Sequence, residues 1–351
     1  MSPWPRGGAP AELLELASGG TAGDRRSLAR LLSIAEQGGT AGRELARLTY
    51  ARAGSAYSVG LTGAPGAGKS TLTSGLIAEA REQTGAPVAV LAVDPTSPLS
   101  GGAILGDRVR MQDHALDRGV YIRSMATRGH HGGLAAAVPD ALRLLDATGW
   151  PLLFVETVGV GQVEVEVATS CDTVIVVLNP GWGDAVQANK AGLLEVADIL
   201  VINKADRPGV RETKRDLIHM LQLSHQLEWP PPIVETVASS GSGIHDLWTA
   251  IGTHRAHLES AGGLERRRTS RLADETERLA TSSFAERVTS ELRHEGSELL
   301  ADLAARRVDP AEAADHLVTT VAARLAQPAQ TARPAPLPAE AADAAVPRHA
   351  S

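Results

Sequence analysis

Residues 63–70 read Gly63-Ala64-Pro65-Gly66-Ala67-Gly68-Lys69-Ser70, a G-x-x-x-x-G-K-S run. The flanks give it meaning: Val59-Gly60-Leu61-Thr62 enters as an apolar strand, and a helical pattern leaves from Thr71. Three glycines let the backbone curl until its N–H groups converge, and the dipole of the next helix favours negative charge there. Such a P-loop cradles phosphates between Gly63 and Thr71, with Lys69 at the β/γ-phosphates and the Ser70 hydroxyl on Mg²⁺. A glycine turn that binds nothing has no need of Lys-Ser at this offset. Strand, loop and helix in this order also imply an α/β sheet.

The remaining pattern agrees. Apolar runs at residues 57–62, 88–93, 121–124, 152–157, 173–178, 199–203 and 233–236 alternate with amphipathic stretches. This predicts a parallel, roughly seven-stranded sheet flanked by helices. The expected domains are a helical arm (1–55), the P-loop domain (56–260), a helical region (261–326) and a disordered Pro/Ala-rich tail (327–351). In the arm, helices are expected over 11–17, 25–36 and 41–51, and Leu28, Leu31, Leu32 and Ala35 should pack on the main domain. Farther on, Leu272, Leu279, Phe284, Val288 and Leu292 form a stripe that the nucleotide domain need not cover. A chain cut after Ala261 is therefore expected to stay folded, monomeric and able to bind nucleotide.

Charge and cysteine content narrow the setting. The net charge is −7, and the run Arg266-Arg267-Arg268 has acidic neighbours, so it reads as a solvated helix face and not as a nucleic-acid site. One cysteine, Cys171, cannot form an intrachain disulfide, which fits a reducing cytosol. No signal peptide opens the chain, and no apolar run approaches the ~20 residues of a membrane span. A soluble, cytoplasmic protein without membrane contact is expected.

Base choice is written in Asn203-Lys204-Ala205-Asp206, which follows the apolar strand Ile199-Leu200-Val201-Ile202. A carboxylate at Asp206 accepts from guanine N1–H and the exocyclic amine, groups that adenine lacks. Two hydrogen bonds to a charged acceptor contribute about 3–6 kcal/mol, a preference for GTP over ATP of ~10²–10⁴-fold. Asn203 would tether neighbouring loops and the Lys204 stem would cover the base. Ser239, Ser240 and Gly241 either contact guanine O6 through backbone N–H groups or form an ordinary loop.

Two acids close candidate strands, Asp94 in Asp94-Pro95-Thr96-Ser97 and Glu156 in Glu156-Thr157-Val158-Gly159. Ligands of open α/β sheets bind at strand carboxyl ends. With Ser70 the acids supply the oxygen ligands that Mg²⁺ prefers, and Gly159 would offer an N–H to the γ-phosphate. Either acid could instead cap a helix.

Four segments go beyond a generic P-loop protein. They are residues 94–107 (DPTSPLSGGAILGD), 122–130 (IRSMATRGH), 156–162 (ETVGVGQ) and 183–192 (GDAVQANKAG). Together they closely resemble the methylmalonyl-CoA mutase-associated GTPases (MeaB/ArgK type), of the signal-recognition/MinD/BioD-like branch. The resemblance spans roughly residues 10–325 and departs from the usual pattern at Ser100 and His131. It implies hydrolysis of GTP to GDP and phosphate, a homodimer joined by the C-terminal helices, and a cobalamin-dependent acyl-CoA mutase as client. GTP would gate adenosylcobalamin loading or protect that mutase. By motif match, Lys69 and Ser70 carry over to phosphate and Mg²⁺, and Asp94, Asp107 and Glu156 to the Mg²⁺ shell. Asp184, Gln187 and Lys190 fall in a third switch that senses the mutase, so Lys69, Asp94, Asp107, Gln187 and Lys190 are the candidate catalytic groups.

Two other readings remain at this point. A GTPase metallochaperone of the same branch would need Cys/His metal motifs, which Cys171 and the adjacent His130-His131 do not supply. A nucleotide-gated scaffold with a non-enzyme partner would show the same nucleotide motifs.

Overall fold

The computed structural model describes residues 9–94, 114, 116–126, 133–157, 165–166, 169–181, 196–223, 228–260, 262–294 and 296–326. Seven strands form one sheet: β1 (Tyr57–Gly63), β2 (Val88–Asp94), β3 (Val120–Ala126), β4 (Leu152–Thr157), β5 (Thr173–Leu178), β6 (Ile199–Asn203) and β7 (Ile233–Thr236). All pair in parallel, in the order β3-β2-β4-β1-β5-β6-β7. The expected strands are all present, with β1, β2 and β3 running slightly past their expected bounds. Every residue of β1, β4, β5 and β6 is buried, which is why these strands read as continuous apolar runs instead of alternating ones. The edge strand β7 is short and follows Pro230-Pro231-Pro232, whose missing N–H groups discourage further pairing.

Helices cover both faces. They are α1 (Pro10–Ala17), α2 (Arg25–Gln37), α3 (Gly39–Tyr50), α4 (Lys69–Thr84), α5 (Gly133–Ala147), α6 (Val210–Leu223) and α7 (Ile244–Ser260). On one face Leu72, Leu76 and Ile77 of α4 and Leu247 and Ile251 of α7 pack with Leu61, Val90 and Phe154. On the other, Leu28, Leu31 and Leu32 of α2 share a core with Leu91, Val155 and Leu145 of α5. Burial of each of these three leucines contributes about 1.5–3 kcal/mol. Asp24 starts α2 by accepting from the backbone of Arg26 and Ser27. The edge strand β3 is tied to the arm where Arg123 donates to Ser33 Oγ at 2.9 Å and Glu36 Oε2 at 3.0 Å.

The described residues divide into two compact units, one ending at Arg268 and the other beginning at Thr269. The division falls within α8 (Gly263–His294), which is followed by α9 (Gly296–Ala304) and α10 (Pro310–Ala326). In the second unit Ala313, Leu317 and Val321 are buried, and Arg324 pairs with the buried Glu291 at 2.7 Å. Of the stripe on α8, Leu279 is 56 % exposed, and Leu272, Phe284, Val288 and Leu292 are half-buried. No described helix is long and apolar enough to cross a membrane.

Candidate functional site

β1 runs directly into the glycine loop, where two glycines are needed for space as well as for torsion. Gly63 has φ +141°, and a Cβ there would meet the Val177 carbonyl oxygen of β5 at 2.1 Å. Gly68 has φ +92°, and a Cβ would come within 2.4 Å of Asn203 Nδ2. The loop thus threads between the carboxyl ends of β5 and β6, and α4 opens behind it with its first N–H groups unused by the helix. Pro65 and Gly66 are exposed, whereas Ala64 and Ala67 are buried and anchor the loop; Thr71 is exposed on the first turn of α4.

Lys69 lies inside this loop, only 5 % exposed, and its ammonium donates to the carbonyls of Gly63 at 2.6 Å and Ala64 at 2.9 Å. Ser70 Oγ donates to Glu156 Oε1 at 2.5 Å. The pairing of Leu61 with Glu156 sets this contact, because it brings the end of β4 beside the end of β1. A buried hydroxyl and a buried carboxylate in contact form an all-oxygen donor pair, which fits part of the shell of a hard cation such as Mg²⁺.

The guanine-type loop is bonded to the phosphate loop at two successive residues. Asn203 Nδ2 donates to the Ala67 carbonyl at 2.7 Å, and Lys204 Nζ donates to the Gly66 carbonyl at 2.5 Å. Lys204 adopts the left-handed region at φ +58° to make this reach. Asn203 Oδ1 in turn accepts from Thr236 Oγ1 and from the Ala238 N–H, both at 3.1 Å. Sequence reading missed Thr236 and Ala238, whose only signal is a polar residue closing an apolar strand. Asp206 is exposed beside this tether, and Ala205 N–H donates to the Thr236 carbonyl at 3.0 Å, which holds the two loops side by side. Ser239, Ser240 and Gly241 are exposed in a turn closed by Val237 N–H on the Ser242 carbonyl at 2.9 Å.

Phosphate-loop, Ser70–Glu156 and Asn203–Asp206 elements therefore meet at one edge of the sheet. Asp94 closes β2, but its side chain lies outside the described residues, as do Asp107, Gly159, Asp184, Gln187 and Lys190. Cys171 is fully buried, so it offers no surface thiol for a metal cargo.

At the opposite, amino-terminal edge of the strands the structure corrects the sequence reading. Arg267 and Arg268 are not a solvated face. Arg267 grips Asp198 with both nitrogens, at 2.8 and 2.7 Å, and Arg268 grips Asp172 at 3.0 and 2.7 Å. The two carboxylates are nearly sealed, with side chains 12 % and 2 % exposed. Burial works against the charge on both guanidiniums, and the bonds to Asp198 and Asp172 outweigh it and raise both pKa values. Beside them His254, 1 % exposed, faces Asp198 Oδ1 with Nε2 at 3.3 Å and Thr173 Oγ1 with Nδ1 at 2.9 Å. Thr173 Oγ1 is also within hydrogen-bonding distance of the Tyr57 hydroxyl at 2.7 Å, so imidazole, threonine and tyrosine form one buried chain. Burial pushes the Tyr57 hydroxyl up to about 12 and holds His254 below its ordinary value. A cut after Ala261 would strip both arginines, and with them the partners of Asp198 and Asp172, from this cluster.

The geometry can now be set beside known proteins. The model of the family described as "Methylmalonyl Co-A mutase-associated GTPase MeaB" matches residues 28–293. The chain belongs to that family. A putative GTPase of Pyrococcus abyssi is 49 % identical to it over 304 residues, which are 85 % of this chain and 94 % of that protein. The mitochondrial methylmalonic aciduria type A homolog of Caenorhabditis briggsae is 36 % identical over 231 residues, 62 % of this chain and 54 % of that protein. Among solved structures, an LAO/AO transport system kinase superposes with a TM-score of 0.64 at 26 % identity, covering 89 % of this chain and 97 % of that one. The chain is a P-loop GTPase that binds guanine nucleotide and hydrolyses GTP.

Proposed function

We propose that this GTPase is a chaperone of a cobalamin-dependent acyl-CoA mutase of the methylmalonyl-CoA mutase type. GTP binding and hydrolysis gate adenosylcobalamin loading or protect the mutase, and the chaperone works as a homodimer. The observation that carries this reading is the family match across residues 28–293, which takes in both nucleotide loops and reaches into α8.

Within it, each residue has a task. Loop N–H groups from Gly63 to Thr71 hold the phosphates, and Lys69 turns from the Gly63 and Ala64 carbonyls to the β/γ-phosphates. Ser70 and Glu156 hold Mg²⁺ together with Asp94 and Asp107, and Gly159 donates to the γ-phosphate. When bound, Mg²⁺ neutralises charge that develops on the phosphate oxygens. Asn203 and Lys204 lock the base loop to the phosphate loop, Asp206 reads guanine, and backbone N–H groups of Ser239-Ser240-Gly241 contact its O6.

No arginine stands in the phosphate loop. An arginine finger or equivalent is worth ~10³–10⁵ in rate, so the protein alone should be slow. The mutase then acts as activator through residues 183–190, bringing Gln187 or Lys190 to the γ-phosphate or the attacking water. Reciprocity of binding then requires that nucleotide state also change affinity for the mutase. Single-turnover hydrolysis with and without the mutase tests this. The wild type should accelerate, whereas Gln187→Ala and Lys190→Ala should bind GTP normally and lose most of the acceleration. Full stimulation of both variants would remove the third switch from the mechanism, and no stimulation of the wild type by any acyl-CoA mutase would remove the client.

A further inference from the structure

The amino-terminal edge of the sheet carries machinery that hydrolysis chemistry alone does not call for. Asp172 stands immediately before β5 and fastens it to β1. Its Oδ2 accepts from Ser58 N–H at 3.0 Å and Ser58 Oγ at 3.2 Å, and its own N–H donates to the Ser58 carbonyl at 2.9 Å. Asp198 stands immediately before β6 and fastens it to β5, with Oδ2 accepting from Val174 N–H at 2.7 Å and its N–H returning to the Val174 carbonyl at 2.9 Å. Each carboxylate thus sets how one strand lies against its neighbour. Each is held in turn by one arginine at the root of α8. Arg268 reaches further, donating to the carbonyls of Gly54 and Ala56 at 2.6 Å each, so it also clasps the linker that feeds β1.

At their other ends these strands become the nucleotide site. β1 leads into the phosphate loop, and β6 ends in Asn203. The five residues of β6 make a rigid rod of roughly 16 Å between Asp198 and the base loop. Both faces of these strands are sealed, so a shift at one end has no soft side chain in which to dissipate.

We infer that Arg267 and Arg268 are positioning residues for nucleotide binding, with separate lines of action: Arg267 through Asp198 and β6 on the guanine loop, Arg268 through Asp172 and β1 on the phosphate loop. The helix that runs on into the second unit therefore supplies the two counter-charges that set the nucleotide site from behind. A guanidinium fork matches a carboxylate at two points, whereas an ammonium meets it at one, so lysine keeps the charge and loses the alignment.

The inference rests on the guanine-reading role proposed for Asp206, and the test separates the two. Full-length wild type, R267K, R268K and the neighbouring R266K would be titrated with GDP and with inosine diphosphate, which lacks the 2-amino group, and melted in parallel. Wild type and R266K should prefer GDP. R267K should lose about tenfold of that preference, the scale of effects along coupled networks. R268K should weaken binding of both nucleotides about tenfold and keep their ratio. Should a lysine variant fail to fold, D198N or D172N takes its place, since asparagine keeps one acceptor oxygen. Lowered melting temperatures with unchanged affinities and ratio would overturn the inference and leave the pairs a purely structural role. A wild type that does not prefer GDP would instead break the guanine reading and leave the phosphate-loop arm of the test standing.

Discussion

At the carboxyl edge of the sheet the residues that matter come mostly from two short stretches, 63–70 and 203–206. At the amino edge they come one or two at a time: Tyr57 and Ser58, Asp172 and Thr173, Asp198, His254, Arg267 and Arg268. The first edge is dominated by backbone, with glycines at positive φ and carbonyls met by Lys69, Asn203 and Lys204. The second is dominated by side chains, with two bidentate ion pairs and a chain of hydroxyl and imidazole bonds. A site that must receive a phosphate needs N–H groups and open space, whereas an edge that only fixes strand register can fill itself with its own charges. The contrast teaches that one sheet can be loose in design at one end because it is locked at the other.

The largest expected effect comes from removing the lock. Taking one partner from a buried ion pair costs about 3–5 kcal/mol, and two such losses approach the whole stability of a domain. A chain ending at Ala261 should therefore fail to fold, while one ending at Glu275 keeps Arg267 and Arg268 and should give a cooperative melt. Circular dichroism on the two settles it; a folded Ala261 product would show that the amino edge needs no counter-charge.

Next in size is the open end. Lys69→Ala removes the ammonium that the glycine loop encloses, and hydrolysis should fall by at least about a hundredfold. The melting temperature should move by no more than about 5 °C, because the amino-edge lock is untouched. Retained turnover would contradict the assignment. A large melting shift would instead mean that the carboxyl edge also carries stability.

The smallest effect concerns pH. Burial holds His254 below 6.5, its ordinary value, in the folded chain. The unfolded chain then takes up a proton first, so this group's contribution is complete above pH 6.5 and is lost as the pH falls below it. Glu79 raises His245, whose contribution has the opposite sign, present at low pH and lost as the pH rises. The difference between wild type and His254→Gln isolates the buried group. The wild type should lose stability below pH 6.5 more steeply than the variant. Parallel curves would mean that His254 does not titrate with folding.

Much of this contrast explains what sequence could and could not tell. The central strands were legible because burial on both faces leaves continuous apolar runs, as in Thr173–Leu178. The nucleotide loops were legible because their chemistry sits in consecutive residues. Thr236 and Ala238 were not, since their task depends on where β7 ends relative to Asn203, 33 residues away in the case of Thr236. Arg267 and Arg268 were misread because a charge run on a helix is ordinarily solvated, and nothing local marks Asp172 and Asp198 as buried partners 96 and 69 residues earlier. The half-buried stripe on α8 was visible as a pattern, and what covers it is a matter for the proposed homodimer.

The account centres on a nucleotide site that selects guanine through Asp206, and competition calorimetry on the full-length protein tests that most directly. Wild type should bind GTP ~10²–10⁴-fold more tightly than ATP, from two hydrogen bonds to a charged acceptor. Asp206→Asn should abolish that preference and favour xanthosine triphosphate, whose ring carbonyl accepts from the new amide. Equal affinity of the wild type for ATP and GTP would contradict the account at its centre.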